Sequence, residues 1–162
     1  MVEQFSGGGS TPGTRIATPR GEVNVEDLQV GDRVITRDNG IQEIRWLGTR
    51  ALDGHEIGRK DNLRPVRIRA GALGNGMPGV DYIDVSEITY IHFMFDQHEI
   101  VLSDGTWSES FQPGDHSLQG VDQDQRQELL ELFPELAEQE GLEAYQAARR
   151  SLKRYEAQLL IQ

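Results

Sequence analysis

The sequence predicts a mainly β fold, a compact but incomplete domain of short strands, followed by an α-helical C-terminal extension. Three observations carry that prediction. From Thr11 to about Leu102, short apolar alternations are separated by Gly21, Gly31-Asp32, Asp38-Asn39-Gly40 and Gly48, a turn spacing typical of all-β domains. Asn39-Gly40, lying between Val34-Ile35 and Ile44–Trp46, is a hairpin signal because both residue types tolerate positive φ. From Asp122 the period changes, and Leu129, Leu130, Leu132, Phe133 and Leu136 recur at helical spacing.

Taken in order, residues 1–10 read as a flexible segment, because Ser6-Gly7-Gly8-Gly9-Ser10 is linker chemistry. Residues 11–115 form the β-domain. Within it, Arg64–Arg69 alternates with period two, placing Val66 and Ile68 on one face and three arginines on the other. Gly71–Gly79 is a turn-rich break. A strand over Ile88–Phe95 leads through Asp96-Gln97-His98 into Glu99–Leu102, and the chain turns again at Ser103-Asp104-Gly105. Residues 116–162 form the helical extension. Asp122 and Asp124 suit a helix N-terminus, and Pro134 ends or kinks that helix. Leu142, Tyr145, Leu152, Tyr155 and Leu159 mark a second amphipathic helix. Its basic cluster, Arg149, Arg150, Lys153 and Arg154, complements the helix dipole, which favours a structural role over a docking patch.

Composition narrows the function classes. The chain has 162 residues, suiting one small domain with an appendage, and carries a net charge of −11. Residues 1–70 hold eleven Lys/Arg against ten Asp/Glu, leaving five against seventeen for the rest. An acidic second half repels phosphate backbones and anionic membranes, so neither nucleic acid nor membrane is expected as a partner. There is no cysteine, hence no disulfide, thiolate metal site or thiol nucleophile. The first residues lack the basic and apolar regions of a Sec signal peptide. The expectation is a soluble protein, cytoplasmic or exported by another route.

The segment Pro12–Thr36, with Gly13-Thr14, Glu26-Asp27-Leu28, Val30-Gly31-Asp32 and Arg33-Val34-Ile35-Thr36, resembles the opening motif of the Hedgehog/intein (Hint) family in its bacterial variety. Two more blocks are similar: Ile44–Gly48 with Leu63–Gly74, and Tyr90–Val101 continued by Gly105–Phe111. The resemblance implies a compact β-domain whose family chemistry is autoprocessing or protein splicing. In the family a cysteine nucleophile precedes the Gly-Thr pair, and by register that position is Gly9. A histidine that polarises the scissile amide follows the Gly-rich stretch in active members. Here Met77–Asp81 passes almost directly to Val85–Thr89, so several dozen residues, that histidine and a central pair of strands are expected to be missing.

The remaining candidates are few. Ser10 or Thr11 could attack the preceding carbonyl in an N-to-O acyl shift, but a hydroxyl needs a positioned base or a strained amide. The simpler reading makes both linker residues. His98 aligns with the late family histidine that assists C-terminal chemistry, with Asp96 in the same block. Strand alternation would set His92, Met94, Asp96 and His98 on one face, inviting a metal site at His92, Asp96 and His98. Two histidines and one acid fall short of a full ligand set, so no metal or cofactor is expected. His55 and His116 read as surface residues, and Trp46 and Trp107 as core or edge packing.

The expectation is a degenerate or minimised Hint-domain protein without autoproteolysis, serving as a structural or interaction module. The alternative is a residually self-cleaving domain whose substrate is its own backbone. Missing strands would expose apolar edges, which predicts a homodimer, another protein partner, or a docked helical tail.

Overall fold

The computed structural model describes residues 9–59, 66–68, 80–82, 86–114, 118, 121–145 and 147–149. The chain forms two compact units, residues 1–50 with 90–162, and residues 51–89. Strands and short helices dominate in the expected order, with all described strand pairs antiparallel.

Strands β1 (Gly9–Ser10), β9 (Glu87–Met94) and β6 (Trp46–Asp53) make a three-stranded sheet in the order β1-β9-β6. Strands β2 (Arg15–Thr18), β3 (Gly21–Asn24), β4 (Arg33–Thr36), β5 (Gly40–Glu43) and β10 (Ile100–Ser103) make a second sheet in the order β3-β2-β10-β4-β5. Strand β11 (Thr106–Glu109) pairs with β10 as a hairpin. Its two-residue turn has φ 48° at Asp104 and 75° at Gly105. Positive φ at both central positions is what a hairpin turn matched to strand twist requires.

The Asn39-Gly40 hairpin forms as β4–β5, with one difference from the sequence reading. Thr36 pairs with Gly40, so the loop is Arg37-Asp38-Asn39. Only Gly40 takes a positive φ, 70°, and Asn39 turns its amide to another task described below.

Two apolar cores meet along β9. Ile91, Phe93 and Phe95 join Ile16, Val25, Leu28, Val34, Ile44 and Val101 in one cluster. Met94 joins Trp46 and Phe111 in the other, with Leu118, Leu129, Phe133, Leu136 and Tyr145 from the extension. Side chains alternate across a strand, so β9 serves both clusters from opposite faces. The helical extension therefore shares a core with the β-domain rather than standing apart.

Helix α2 (Gln123–Leu132) starts at Asp122 and stops before Pro134, as the sequence predicts; a short 3-10 turn, Pro134–Ala137, follows. Gln125 on α2 completes the edge of β6: its Oε1 accepts from Thr49 N at 3.0 Å and its Nε2 donates to Thr49 O at 2.9 Å. A side-chain amide thus replaces a neighbouring strand at that edge.

The second helix is shorter than expected. Helix α3 spans Gln139–Ala144 and does not continue through Tyr145, Ala147, Ala148 or Arg149. Tyr145 N closes the last turn on Gly141 O at 3.0 Å, and beyond it the Ala148 N–H is spent on His98 Nδ1. Leu152, Tyr155 and Leu159 lie outside the described residues.

The smaller unit contains α1 (Gly54–Arg59) and the hairpin of β7 (Val66–Ile68) with β8 (Val80–Tyr82). Leu52 and Ile57 are buried in it, and Asp53 Oδ1 accepts from Glu56 N at 2.8 Å at the start of α1. The Gly-rich break at 71–79 lies outside the described residues. Among the described residues, no helix is long and apolar enough to cross a membrane.

Candidate functional site

Position 9, where register puts the family nucleophile, sits on β1 directly opposite His92 of β9. The sequence reading places Gly9 and Ser10 at the end of a flexible joint; both are paired strand residues here, Gly9 with His92 and Ser10 with Ile91. Residues directly opposite in an antiparallel pair share a face. Gly9 and His92 therefore lie on the face that carries Phe111, whose ring is 5.2 Å from the imidazole in an edge-on arrangement. A Cβ on residue 9 would stand 2.7 Å from His92 Cε1, 3.1 Å from Nδ1 and 3.3 Å from Tyr90 Cβ. The imidazole occupies the space that a side chain at position 9 would need.

Ser10 is one residue on, so its side chain leaves the strand on the opposite face, away from His92. Thr11 begins a turn, its carbonyl accepting from Thr14 N at 3.1 Å. Glu26 Oε2 accepts from Gly13 N at 2.8 Å and holds the turn, where Gly13 has φ 88°. Strand alternation turns the Ser10 hydroxyl away from His92, and Thr11 lies beyond β1 in the turn.

His98 is buried at 3% exposure and both ring nitrogens are engaged. Nδ1 accepts from Ala148 N at 2.9 Å, and Nε2 lies 3.1 Å from Ser110 O. A peptide N–H can only donate and a carbonyl can only accept, so the ring is the neutral Nε2–H tautomer. Burial lowers the His98 pKa, while Glu109, the Ser110 carbonyl and Glu99 act in the opposite direction.

The proposed sharing of one strand face by His92, Asp96 and His98 does not occur. Strand β9 ends at Met94, and a bend at Asp96-Gln97 breaks the alternation before His98. Asp96 is exposed and pairs with Arg45, Nε to Oδ1 3.3 Å. Among the described residues no three His, Asp or Glu side chains are grouped to hold a metal. His55 is exposed, Trp46 is fully buried and Trp107 is half exposed on β11 with Arg37 over its ring. His116 lies outside the described residues.

A family model described as Hint domain matches residues 9–83 and 79–115, well over half of the chain. The chain belongs to the Hint domain family. Its two matching segments meet at residues 79–83, within the stretch where the sequence passes abruptly from Gly-rich break to strand. No curated protein and no solved structure matches the chain significantly. This Hint domain has no cysteine, and its residue 9 is glycine.

One polar centre escaped the sequence reading. Glu99, 1% exposed, accepts from Asn39 Nδ2 at 2.9 and 3.1 Å and from Gln97 Nε2 at 3.0 Å. Its backbone N–H donates to Ser110 Oγ at 3.0 Å. The run Gln97-His98-Glu99 in one block is the only trace of this centre in the sequence, since Asn39 is sixty positions away.

Proposed function

We propose that this Hint domain has lost autoprocessing and serves as a structural or interaction module. The observation that carries the reading is Gly9 against His92. The family reaction needs a nucleophile at that position, and glycine offers none. The engaged nitrogens of His98 support the same reading, because a ring that is already donating and accepting has no site left to assist the family's C-terminal chemistry.

The test is intact mass measurement of the purified chain after incubation at several pH values, with and without dithiothreitol. A single unchanged mass is the expected result. A fragment beginning at Ser10 or Thr11, lost on Ser10→Ala with Thr11→Ala, would mean that a hydroxyl has taken over the nucleophile's role and would overturn the reading.

A further inference from the structure

The segment after α3 crosses the loop between β9 and β10 and is held there at three points. Tyr145 Oη donates to Phe95 O at 3.0 Å in a buried contact. Ala148 N donates to His98 Nδ1 at 2.9 Å. Arg149 Nη2 meets the Asp38 carboxylate at 2.7 and 2.9 Å, in the β4–β5 loop. Arg149 also donates from Nη1 to Ala148 O at 2.8 Å, which fixes the Ala148 peptide between its two neighbours.

The middle contact differs from the others because it depends on one proton. His98 Nδ1 accepts from a peptide N–H only while it carries no hydrogen. Protonation turns it into a donor facing another donor, and the hydrogen bond is replaced by a repulsive contact. The other nitrogen offers no escape, since Nε2 already faces Ser110 O. Flipping the ring would place a carbon against both partners.

We propose that Tyr145, Ala148 and Arg149 form a proton-released strap over the β9–β10 loop, with His98 as its latch. The strap is closed while His98 is neutral and opens when the imidazole binds a proton. The proposal stands whether or not the Hint domain processes itself.

The charged groups around His98 are Glu99 on its own segment, Glu109 on the neighbouring strand, and on the strap Arg149, which Asp38 neutralises. Glu109 and Glu99 favour the imidazolium, while burial under the strap opposes it and prevails. The sign follows from that order. A histidine whose folded pKa is depressed contributes stability above its ordinary value, and that contribution is lost as pH falls through the lowered value. Asp38 and Arg149 keep their charges in that window, with the Asp38 carboxyl held below its usual value by its hydrogen bond to Arg149. Acid release is therefore assigned to His98 rather than to the ion pair.

The experiment is a pH titration of the full isotope-labelled chain by NMR, following the His98 ring and the Ala148 and Phe133 amides. The Phe133 amide, bonded to Leu129 O at 2.9 Å, reports the α2 core independently of the strap. Corrected for intrinsic exchange, Ala148 protection should fall by up to about tenfold per pH unit as pH drops from the ordinary histidine value towards the lowered value at which His98 titrates. Phe133 should stay protected through the same range. In His98→Asn the side-chain oxygen stands near the place of Nδ1 and accepts without titrating, so the strap should stay closed in acid. In Ala148→Pro the donor is gone, and His98 should titrate at higher pH than in the parent chain. Ala148 protection that persists through the His98 titration would overturn the proposal. So would simultaneous loss at Ala148 and Phe133, or acid release in His98→Asn at the parent pH.

Discussion

Gly9 and His92 face each other across the β1–β9 pair, and the imidazole stands where a side chain on residue 9 would be. The position thus suits glycine for a packing reason. Adding a methyl group must push the His92 ring, which is itself set against Phe111. Gly9→Ala should destabilise the chain by about 1–3 kcal/mol, as overpacking typically does. Ser10→Ala, on the opposite face, should stay within about 0.5 kcal/mol. Urea unfolding decides between them through the midpoint at unchanged slope. Equal midpoints for the two variants would show that β1 does not press on His92.

Two tyrosines set the alkaline limit of stability. Burial, helped by the charges of Glu99 and Asp96, holds the Tyr145 hydroxyl well above the ordinary value of 10.0. Burial alone pushes Tyr90 up to about 12. A group whose folded pKa is raised gives its full stabilisation below the unfolded value and loses it as pH rises beyond that. Stability should therefore begin to fall above about pH 10, with Tyr145 contributing a slope of up to about 1.4 kcal/mol per pH unit. Tyr145→Phe should be less stable at pH 7 by about 1 kcal/mol through loss of the bond to Phe95 O, yet show a flatter alkaline decline. Thermal unfolding at pH 7 to 11 measures both effects, and parallel curves for the two proteins would remove Tyr145 from the account.

Asn39 is matched to Glu99 by polarity. Its amide donates to both carboxylate oxygens, while Gln97 donates to one of them. Asn39→Asp replaces the donor with a second carboxylate and should cost about 1–3 kcal/mol at neutral pH, the loss expected when a buried acceptor is left without its donor. Chemical denaturation of both proteins at pH 7 checks the loss. Equal stability of the two would contradict the pairing.

Much of the architecture was legible because it rests on local rules. Asp104-Gly105 and Gly40 mark turns by their conformational freedom, and Asp122 with Pro134 brackets α2, the one by its acidic charge at the helix N-terminus and the other by its ring geometry. The blocks around Gly13-Thr14, Ile44–Gly48 and Tyr90–Val101 carried the family resemblance, which the family match over residues 9–83 and 79–115 bears out. What local rules do not reach is pairing at a distance. Strand alternation extended past Met94 put His92, Asp96 and His98 on one face, while the bend at Asp96-Gln97 sends Asp96 to solvent and His98 inward. Helical periodicity through Tyr145 is real as an apolar pattern, but a six-residue helix without a side-chain cap stops there, and the Ala148 N–H goes to His98 instead of a helical carbonyl. Asn39 with Glu99 and Ala148 with His98 depend on contacts sixty and fifty positions apart, which no periodicity encodes.

Phe111 joins these distant parts and supplies the last test. It is 1% exposed, its ring centroid lies 5.5 Å from Trp46 and 5.2 Å from His92, and its N–H donates to Phe93 O at 2.9 Å. The same cluster receives Leu129, Phe133, Leu136 and Tyr145 from the extension. Phe111→Ala should therefore cost about 3–5 kcal/mol, the range for emptying a buried aromatic site. It should also loosen the extension before the main sheet, because Ile16, Val34 and Val101 belong to the other cluster. Trp46 is buried and Trp107 half exposed, so a red shift in the tryptophan emission of the folded variant reports water reaching Trp46. Hydrogen exchange should rise at the Leu136 amide, bonded to Phe133 O, ahead of the Arg37 amide, bonded to Ile100 O. Equal loss of protection at both would mean that the two clusters unfold as one.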